Sequence, residues 1–436
     1  MEHVVVVGGG LAGSEAAYKL AQNGISVKLF EMRPLAMTPA HRTGFLAELI
    51  CSNSLKSESL DTAQGLLKAE MRQMGSLVLD CAEKCRVAAG SALAVDRDLL
   101  GAMVTEIIES HPLIEVVREE VTEIPKDGVV IVASGPLTAG ALANDIQSLT
   151  GSEYLHFYDA VAPIVAADSV DMNRAFRGSR YGKGSDDYIN CPMTEEEYTR
   201  FCDELVKADP VPIHEADRDL YFNACMPIEE IARRGPETLK FGPMRPVGLP
   251  DPVTGRISAA VVQLRNENKD GSMLGLVGFQ TRMKWGEQER VLRLIPALEN
   301  AVFLRLGVMH RNTFINSPQL LNESLEFRTR PGLFFAGQIT GVEGYMESAA
   351  SGIWVGINTA RLMKGMKPLT LPPETMLGSL FSYVSNAEGK SFQPMNANFG
   401  LLPPLEDRIR NKKLRNSALS ERSLDILTKL SEEFSD

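Results

Sequence analysis

The sequence predicts an α/β protein: a parallel sheet assembled from two separated stretches of chain, with an α+β domain inserted between them. Three observations carry this expectation. Residues 3–7, HVVVV, form a continuous apolar run of the kind found in buried parallel strands. The turn that follows, GGGLAGSEAAYKLAQNG, places Gly8, Gly10 and Gly13 in G-x-G-x-x-G spacing and passes into helical spacing at Leu11, Ala16 and Leu20. Two further apolar strands that end in glycine, GVVIVASGP (128–136) and GLFFAGQ (332–338), are separated by chain of a different character.

Each element follows in order. Gly24 can end the first helix, and a second apolar strand, ISVKLFE, closes at Glu31. In such a strand–turn–helix–strand unit Gly8 makes the tight turn. Gly10 lets backbone approach a pyrophosphate, and Gly13 lets helix and strand pack closely. The backbone of Gly9, Leu11 and Ala12 then presents the helix N-terminus to the phosphates, and Glu31 accepts from a ribose hydroxyl. Without the flanking strands and the acid this would be only a Gly-rich turn; with them it is a Rossmann-like dinucleotide site. The late segment PGLFFAGQITGVEGYMESAASGIWVGINT decides between NAD and FAD. A strand ending at Gly337-Gln338, a Gly-rich loop through Gly344 and a small-residue helix from about residue 347 suit a ribityl chain and a flavin ring. Gln338 stands where an Asp is usual, which keeps hydrogen bonding and removes charge. Ser134 and Gly135 close the middle strand in place of a Thr-Gly. Three such pieces in this order favour FAD.

At 436 residues the chain is long enough for two or three domains, and its 44% apolar and 23% charged content is that of a globular protein. No apolar run reaches a membrane-spanning length, and no basic-then-apolar leader precedes the first strand, so a cytoplasmic protein with its six cysteines reduced is expected. A net charge of −11 opposes indiscriminate nucleic-acid binding but leaves room for local basic faces. Two are visible: Arg174, Arg177, Arg180 and Lys183, interleaved with Phe176 and Tyr181, and the run RIRNKKLR, with Arg408, Arg410, Lys412, Lys413 and Arg415. Clustered cations suit phosphates and aromatic rings suit unpaired bases. The plainer alternative for both is a solvated, internally paired surface.

At this point the chain resembles the flavoprotein group of tRNA-modifying enzymes related to glucose-inhibited division protein A, through GGGLAGSEAA and GLFFAGQITGVEGY. Within that group AELICSNSLKS, INCPMTEEEY, FNACMPIEE, KFGPMRPVGL, MHRNTFINSP and PMNANFGLLPP are similar to the folate- and FAD-dependent tRNA uracil-5-methyltransferases. Larger members of the group carry a long helical C-terminal region for which the stretch 360–436 is too short, which favours the smaller enzyme. The resemblance implies that methylenetetrahydrofolate gives its one-carbon unit to a T-loop uridine (position 54) of tRNA, with NAD(P)H supplying electrons through FAD.

That chemistry asks for particular residues. Uracil C5 is a poor nucleophile until a thiolate adds to C6; after alkylation the C5 proton must leave to a base. Flavin N5 can take up the folate methylene and hydride transfer then completes the methyl group. The resemblance matches Cys225, in YFNACMPIEEIARRG, and Cys51, in LICSNSLKS. Cys225 is taken as the C6 nucleophile and Cys51 as the C5 proton acceptor, although sequence does not order the two roles. For a lone cysteine the ordinary reading is a buried small apolar residue. That reading is kept for Cys202, on the apolar face of a 194–207 helix, and a structural role for Cys191 beside a helix start at Pro192 and Thr194. Cys81 and Cys85 lie one helical turn apart without further metal ligands nearby, and no metal is expected. Tyr345 is a candidate to stack on the flavin or the incoming base. Asn398 and Phe399, in NANFG, are candidates for pterin contacts by resemblance only. With the family granted, Arg174, Arg177, Arg180, Arg408 and Lys412 become candidate contacts to the tRNA T-arm.

The expected organisation is an FAD-binding domain at 1–150 and 310–436 around a substrate domain at 151–309. RISAAVVQLR and MLGLVGFQ should pair as a hairpin across NENKDGS, and SERSLDILTKLSEEF should be a packed amphipathic helix. Three other functions remain open on these residues: a flavin oxidoreductase cycling a Cys51–Cys225 disulfide, a flavin-bearing RNA-binding protein without methyl transfer, and the same methylation on a ribosomal RNA uridine.

Overall fold

The computed structural model describes residues 3–38, 40–151, 155–182, 186–212, 226–388 and 392–430. Five parallel strands form one sheet, in the spatial order Leu333–Phe335, Val130–Val132, Val4–Val7, Val27–Phe30, Ile114–Val117. Val5 is in register with Val130, which is in register with Leu333, so the strand that follows the inserted region lands beside the one that precedes it. Both faces of the sheet are covered, which is why the strands read as unbroken Val, Ile, Leu and Phe. The helices Leu11–Gln22 and Tyr345–Met363 cross in close contact. A Cβ on Gly352 would lie 2.1 Å from the Ala12 carbonyl oxygen, and one on Gly356 would lie 2.9 Å from the Lys19 Cβ. The small-residue character of the second helix therefore serves helix–helix approach, and two distant glycine-rich turns meet at the carboxyl end of the parallel strands.

A second, six-stranded sheet lies between residues 164 and 305 and encloses its own apolar core around Cys191, Phe201, Val262 and Phe279. The expected hairpin is there: Ala260–Asn266 pairs antiparallel with Met273–Leu276, with Leu264 opposite Leu276. Helix Glu195–Lys207 starts at Thr194 through a reciprocal capping box with Glu197, and Cys202 is buried on its apolar face. Cys191 belongs to the preceding strand, Tyr188–Met193, and is fully buried. Two antiparallel strands, Leu155–Ala160 and Met309–Phe314, carry the chain out to this sheet and back. Cys81 and Cys85 are buried in the core of the parallel sheet. Among the described residues no cluster of His, Cys, Asp and Glu could hold a metal ion, and no helix is long and apolar enough to cross a membrane.

The C-terminal helix differs from expectation at its start. It runs over Lys412–Leu430, beginning eight residues before Ser420. The Asn411 side chain accepts from the N–H groups of Lys413 and Leu414 and so caps an earlier turn than the apolar spacing marked. The helix is packed as expected, with Leu419 and Leu427 buried and Ser423 bonded to Glu70.

Candidate active site

In the first glycine-rich turn each glycine has its own surroundings. Gly8 has φ +104°, and a Cβ there would sit 2.4 Å from the Ala133 carbonyl oxygen. Gly13 has its own reason: a Cβ would come within 1.8 Å of the Gly8 oxygen, so this position is where strand and helix touch. At Gly10, by contrast, a Cβ would meet nothing within 4 Å. That open ground faces a cleft of 380 Å³. Helix Leu11–Gln22 has no side-chain cap at Gly10, so its first-turn N–H groups are left for an anion. The second helix, Tyr345–Met363, likewise starts at Gly344 without a side-chain cap. An uncapped helix end beside a turn that no side chain crowds fits a pyrophosphate.

Glu31 is buried at the cleft wall. Its carboxylate accepts from the Gly9 N–H at 2.9 Å and from Arg33, whose guanidinium also pairs with Glu48 at 2.9 Å. Burial pushes the Glu31 carboxyl upward, but the Arg33 hydrogen bonds and charge outweigh it and hold it below the usual range. Glu31 thus remains an ionised acceptor. Leu11, Ala12, Ser134, Gly135, Gly337 and Gln338 line the same cleft, whereas Gly9 and Gly13 stand behind it. Ser134 accepts from the Thr138 hydroxyl at 2.7 Å, and the Gln338 amide donates to Glu343.

Cys51 and Tyr345 meet at the far end of the cleft. Tyr345 is the first residue of its helix, two positions earlier than the expected start. Its hydroxyl oxygen accepts from the backbone N–H of Cys51 at 2.8 Å and of Ser52 at 3.1 Å, and it lies 2.9 Å from the Cys51 sulfur. A phenol oxygen has two lone pairs. The two amides occupy them, so the phenol must donate its own proton to sulfur. Burial pushes the Cys51 thiol up to about 12, with the Asp159 charge adding and the Tyr345 hydrogen bond opposing. The resting group is therefore a thiol.

The Cys51 segment is held from the inserted sheet. Arg305 donates to the Ile50 carbonyl at 2.6 Å. Arg265 donates to the Ser52 hydroxyl at 3.0 Å and to Asn53 at 2.9 Å, and Asn53 in turn donates to the Asn266 carbonyl. Burial, then Arg97 and Arg42, bring Arg305 down to about 10. Sequence reasoning missed the polar floor of the cleft. Asp159 and Glu343 both line it, and burial together with Asp159 raises Glu343 to about 8. Asn312 lines it with a buried side-chain oxygen that lacks a partner. Glu343 and Asn312 lie in GVEGY and MHRNTF, segments that carried the resemblance, so a signal was present without an assigned task.

The remaining predicted residues are placed as follows. Cys225 and Lys183 lie outside the described residues. Arg174 is paired with Glu197 at 3.0 Å. Arg180 donates to the carbonyls of Val247 and Arg245 and to Gln263, and Arg177 is exposed. Asn398 is folded onto its own loop, donating to the Asn396 carbonyl and accepting from Gly400; Phe399 packs on the core, and neither lines the cleft. That loop does adjoin the second glycine-rich turn, because the Met395 N–H donates to the Gly341 carbonyl and the Glu343 N–H donates to the Met395 carbonyl. Arg408 and Lys412 are exposed near the start of the C-terminal helix.

The family model "Glucose inhibited division protein A" matches residues 3–367. Proteins carrying the name methylenetetrahydrofolate–tRNA-(uracil-5-)-methyltransferase TrmFO are similar along nearly the whole chain. That of Brevibacillus brevis is 56% identical over 430 residues, 99% of this chain and 98% of its own. That of Syntrophomonas wolfei is 59% identical over 432 residues, 99% of each. That of Aquifex aeolicus is 57% identical over 428 residues, 98% of this chain and 96% of its own. Among solved structures, Aquifex aeolicus GidA superposes with a TM-score of 0.68 at 18% identity, covering 99% of this chain and 76% of that one, a likeness of fold.

Proposed function

Since the chain belongs to the glucose inhibited division protein A family and, within it, to the folate-dependent tRNA (uracil-5-)-methyltransferases, we propose that it methylates C5 of the T-loop uridine at position 54 of tRNA. The chain is thus a methyltransferase; the position, the adduct and the roles below are the proposal. The observation that carries it is the single cleft that joins both glycine-rich turns to the Cys51–Tyr345 pair. When bound, FAD would supply a carrier for the one-carbon unit of methylenetetrahydrofolate and a hydride drawn from NAD(P)H. Gly10, Leu11 and Ala12 would hold its pyrophosphate, Glu31 its ribose, and Ser134, Gly135, Gly337 and Gln338 the rest of its chain.

Cys225 attacks uracil C6, and Cys51 receives the proton that leaves C5. Cys51 can accept that proton only as thiolate, so its own proton first passes to Asp159, the carboxylate of the same cleft whose charge acts on the sulfur; the thiolate so formed is a strong base, whereas a standing nucleophile needs a lowered pKa. The phenol of Tyr345 donates to that thiolate and orients it. The inserted domain, 151–309, brings Cys225 to a base lying against the FAD-binding domain, 1–150 and 310–436. The basic faces receive the T-arm in a cytoplasmic setting.

The test uses purified protein, NADPH, unmodified tRNA transcript and methylenetetrahydrofolate labelled in its methylene carbon. Labelled 5-methyluridine in the T-loop is the expected product. Label absent from tRNA but present in ribosomal RNA would replace the substrate, and flavin reduction with no labelled RNA would sink the reading in favour of an oxidoreductase.

A further inference from the structure

The basic stretch 174–183 does not present a uniform row of cations. Arg174 is neutralised by Glu197, and Arg180 is turned inward, tying the Val247 and Arg245 carbonyls and Gln263 together. What Arg180 achieves is to seat the loop 244–248 against the segment 178–182. A second contact does the same: the Tyr181 N–H donates to the Gly248 carbonyl, and a Cβ on Gly248 would lie 2.7 Å from the Tyr181 ring. Tyr181 itself has φ +59°, a costly backbone for a bulky residue, and its side chain is nevertheless 57% exposed. The ring rests against Gly248 on one side and stays more than half exposed, so packing accounts for only part of the strained placement. The Tyr181 hydroxyl lies 3.4 Å from the Arg245 guanidinium.

Charge gives the second indication. Several arginines of the inserted domain are neutralised by acids, as Arg282 by Glu230 and Arg290 by Glu204 and Glu287. Among the described residues Arg177 and Arg245 have no carboxylate within ion-pair distance, and both are exposed. Burial and the Arg245 charge pull Arg180 below its ordinary range, so the two guanidinium groups repel each other. Position is the third. Arg177 is in register with Ile189, which is opposite Leu264, the neighbour of Arg265 that grips the Cys51 segment. Two strand spacings put the platform about 10 Å from that strand.

We propose that segment 177–181 and loop 244–248 form a docking platform for an unpaired stretch of the RNA substrate, with the Tyr181 ring stacking on a base and Arg177 and Arg245 holding phosphates. The inference rests on the RNA-methylating reading above. Stacked rings and cations without partners are what single-stranded RNA engages, and the phosphodiester charge is what the crowded guanidinium groups lack. Arg180 is a positioning residue that builds the platform.

The experiment measures binding of a fluorescein-labelled, unmodified tRNA transcript to the FAD-loaded full chain by anisotropy across a salt series. Tyr181→Ala should weaken binding roughly tenfold, and Tyr181→Phe should keep it near wild type. Arg245→Ala should reduce the slope of log affinity against log salt by about 0.7. Arg290→Ala, on an arginine already paired with glutamates, should change nothing. Wild-type affinity in both Tyr181→Ala and Arg245→Ala overturns the platform. So does a change in sedimenting mass, which would make the face a contact between copies of this chain, or a parallel loss of NADPH-driven flavin reduction, which would mean damage to the fold. A wild type that binds tRNA yet forms no labelled 5-methyluridine defeats the methylation reading alone, and the affinity comparison still decides this one.

Discussion

Replacing Tyr345 by Phe removes one oxygen and leaves the ring. That oxygen takes hydrogen bonds from two backbone amides and gives one to the Cys51 sulfur. The two amide bonds, at about 1 kcal/mol each, put the stability loss near 2 kcal/mol. The effect on sulfur is more specific. A hydrogen bond to an ionised acceptor is worth about 1.5–3 kcal/mol, so losing it should make the Cys51 thiolate about 10- to 100-fold rarer at a given pH. Iodoacetamide alkylation followed by mass spectrometry reads this directly, in a Cys225→Ala background where the other four cysteines are buried. Between pH 8 and 10 the wild-type rate should climb tenfold per pH unit, because the thiol titrates near 12. The Tyr345→Phe line should run parallel and lower. If the variant is alkylated as fast as wild type, or faster, the phenol does not donate to sulfur and the lone-pair argument fails.

The two glycines of the first turn should separate folding from cofactor retention. Gly10→Ala is expected to fold with an unchanged melting temperature and to purify with less flavin, read as the 450 to 280 nm absorbance ratio; Gly13→Ala should lower the melting temperature itself, since its Cβ meets the Gly8 oxygen. Glu31→Ala leaves Arg33 buried with one acid instead of two, and should cost about 3–5 kcal/mol in urea unfolding as well as flavin. Glu15 and Glu70 are both buried carboxyls that cap helix starts, and burial raises each to about 7. The folded chain then keeps protons that the unfolded chain sheds above about 4.5, so their contribution falls as pH rises from about 4.5 to about 7 and stays lost above it. The urea midpoint of wild type should accordingly rise from pH 8 to pH 6.5 by more than that of the Glu15→Gln/Glu70→Gln double variant; equal differences would refute the assignment.

What sequence could reveal here depended on how local the physics is. The turn Gly8–Gly13 was legible because much of its constraint is local, with Gly8 at positive φ and Gly13 against the Gly8 oxygen, and the hairpin 260–276 because alternation and a polar turn fix its register. Glu31 was legible as an acid at a strand end, but its salt bridges to Arg33 and Arg33's bond to Glu48 depend on a loop whose path the pattern does not encode. Arg180 shows the converse. Spacing placed it among RNA-facing cations, and only the approach of loop 244–248 turns it into an internal strut. Tyr345 was legible as a candidate site residue, but its bond to Cys51 was not: that partner is 294 residues away, and a phenol in a glycine-rich loop reads equally as a stacking ring.

The Cys51 segment belongs to neither sheet alone. Tyr345 fixes it from the helix that starts beside the second glycine-rich turn, while Arg265 and Arg305 fix it from the antiparallel sheet. A base chosen for proton removal has to be placed relative to both the cofactor and the substrate, and these partners come from the two bodies that would carry them. Arg265→Ala tests whether that coupling matters. It removes two hydrogen bonds to Ser52 and Asn53 at a distance from the proposed FAD contacts, so flavin content should stay constant while turnover falls. The fall should sit in the steps after Cys225 adds to C6. Trapped protein–RNA adduct, resolved on a denaturing gel, should accumulate relative to wild type, because the C5 proton then waits for a base that is less well held. A variant with lowered turnover and no excess adduct would place Arg265 in RNA binding instead and break the link drawn between the clamp and the proton.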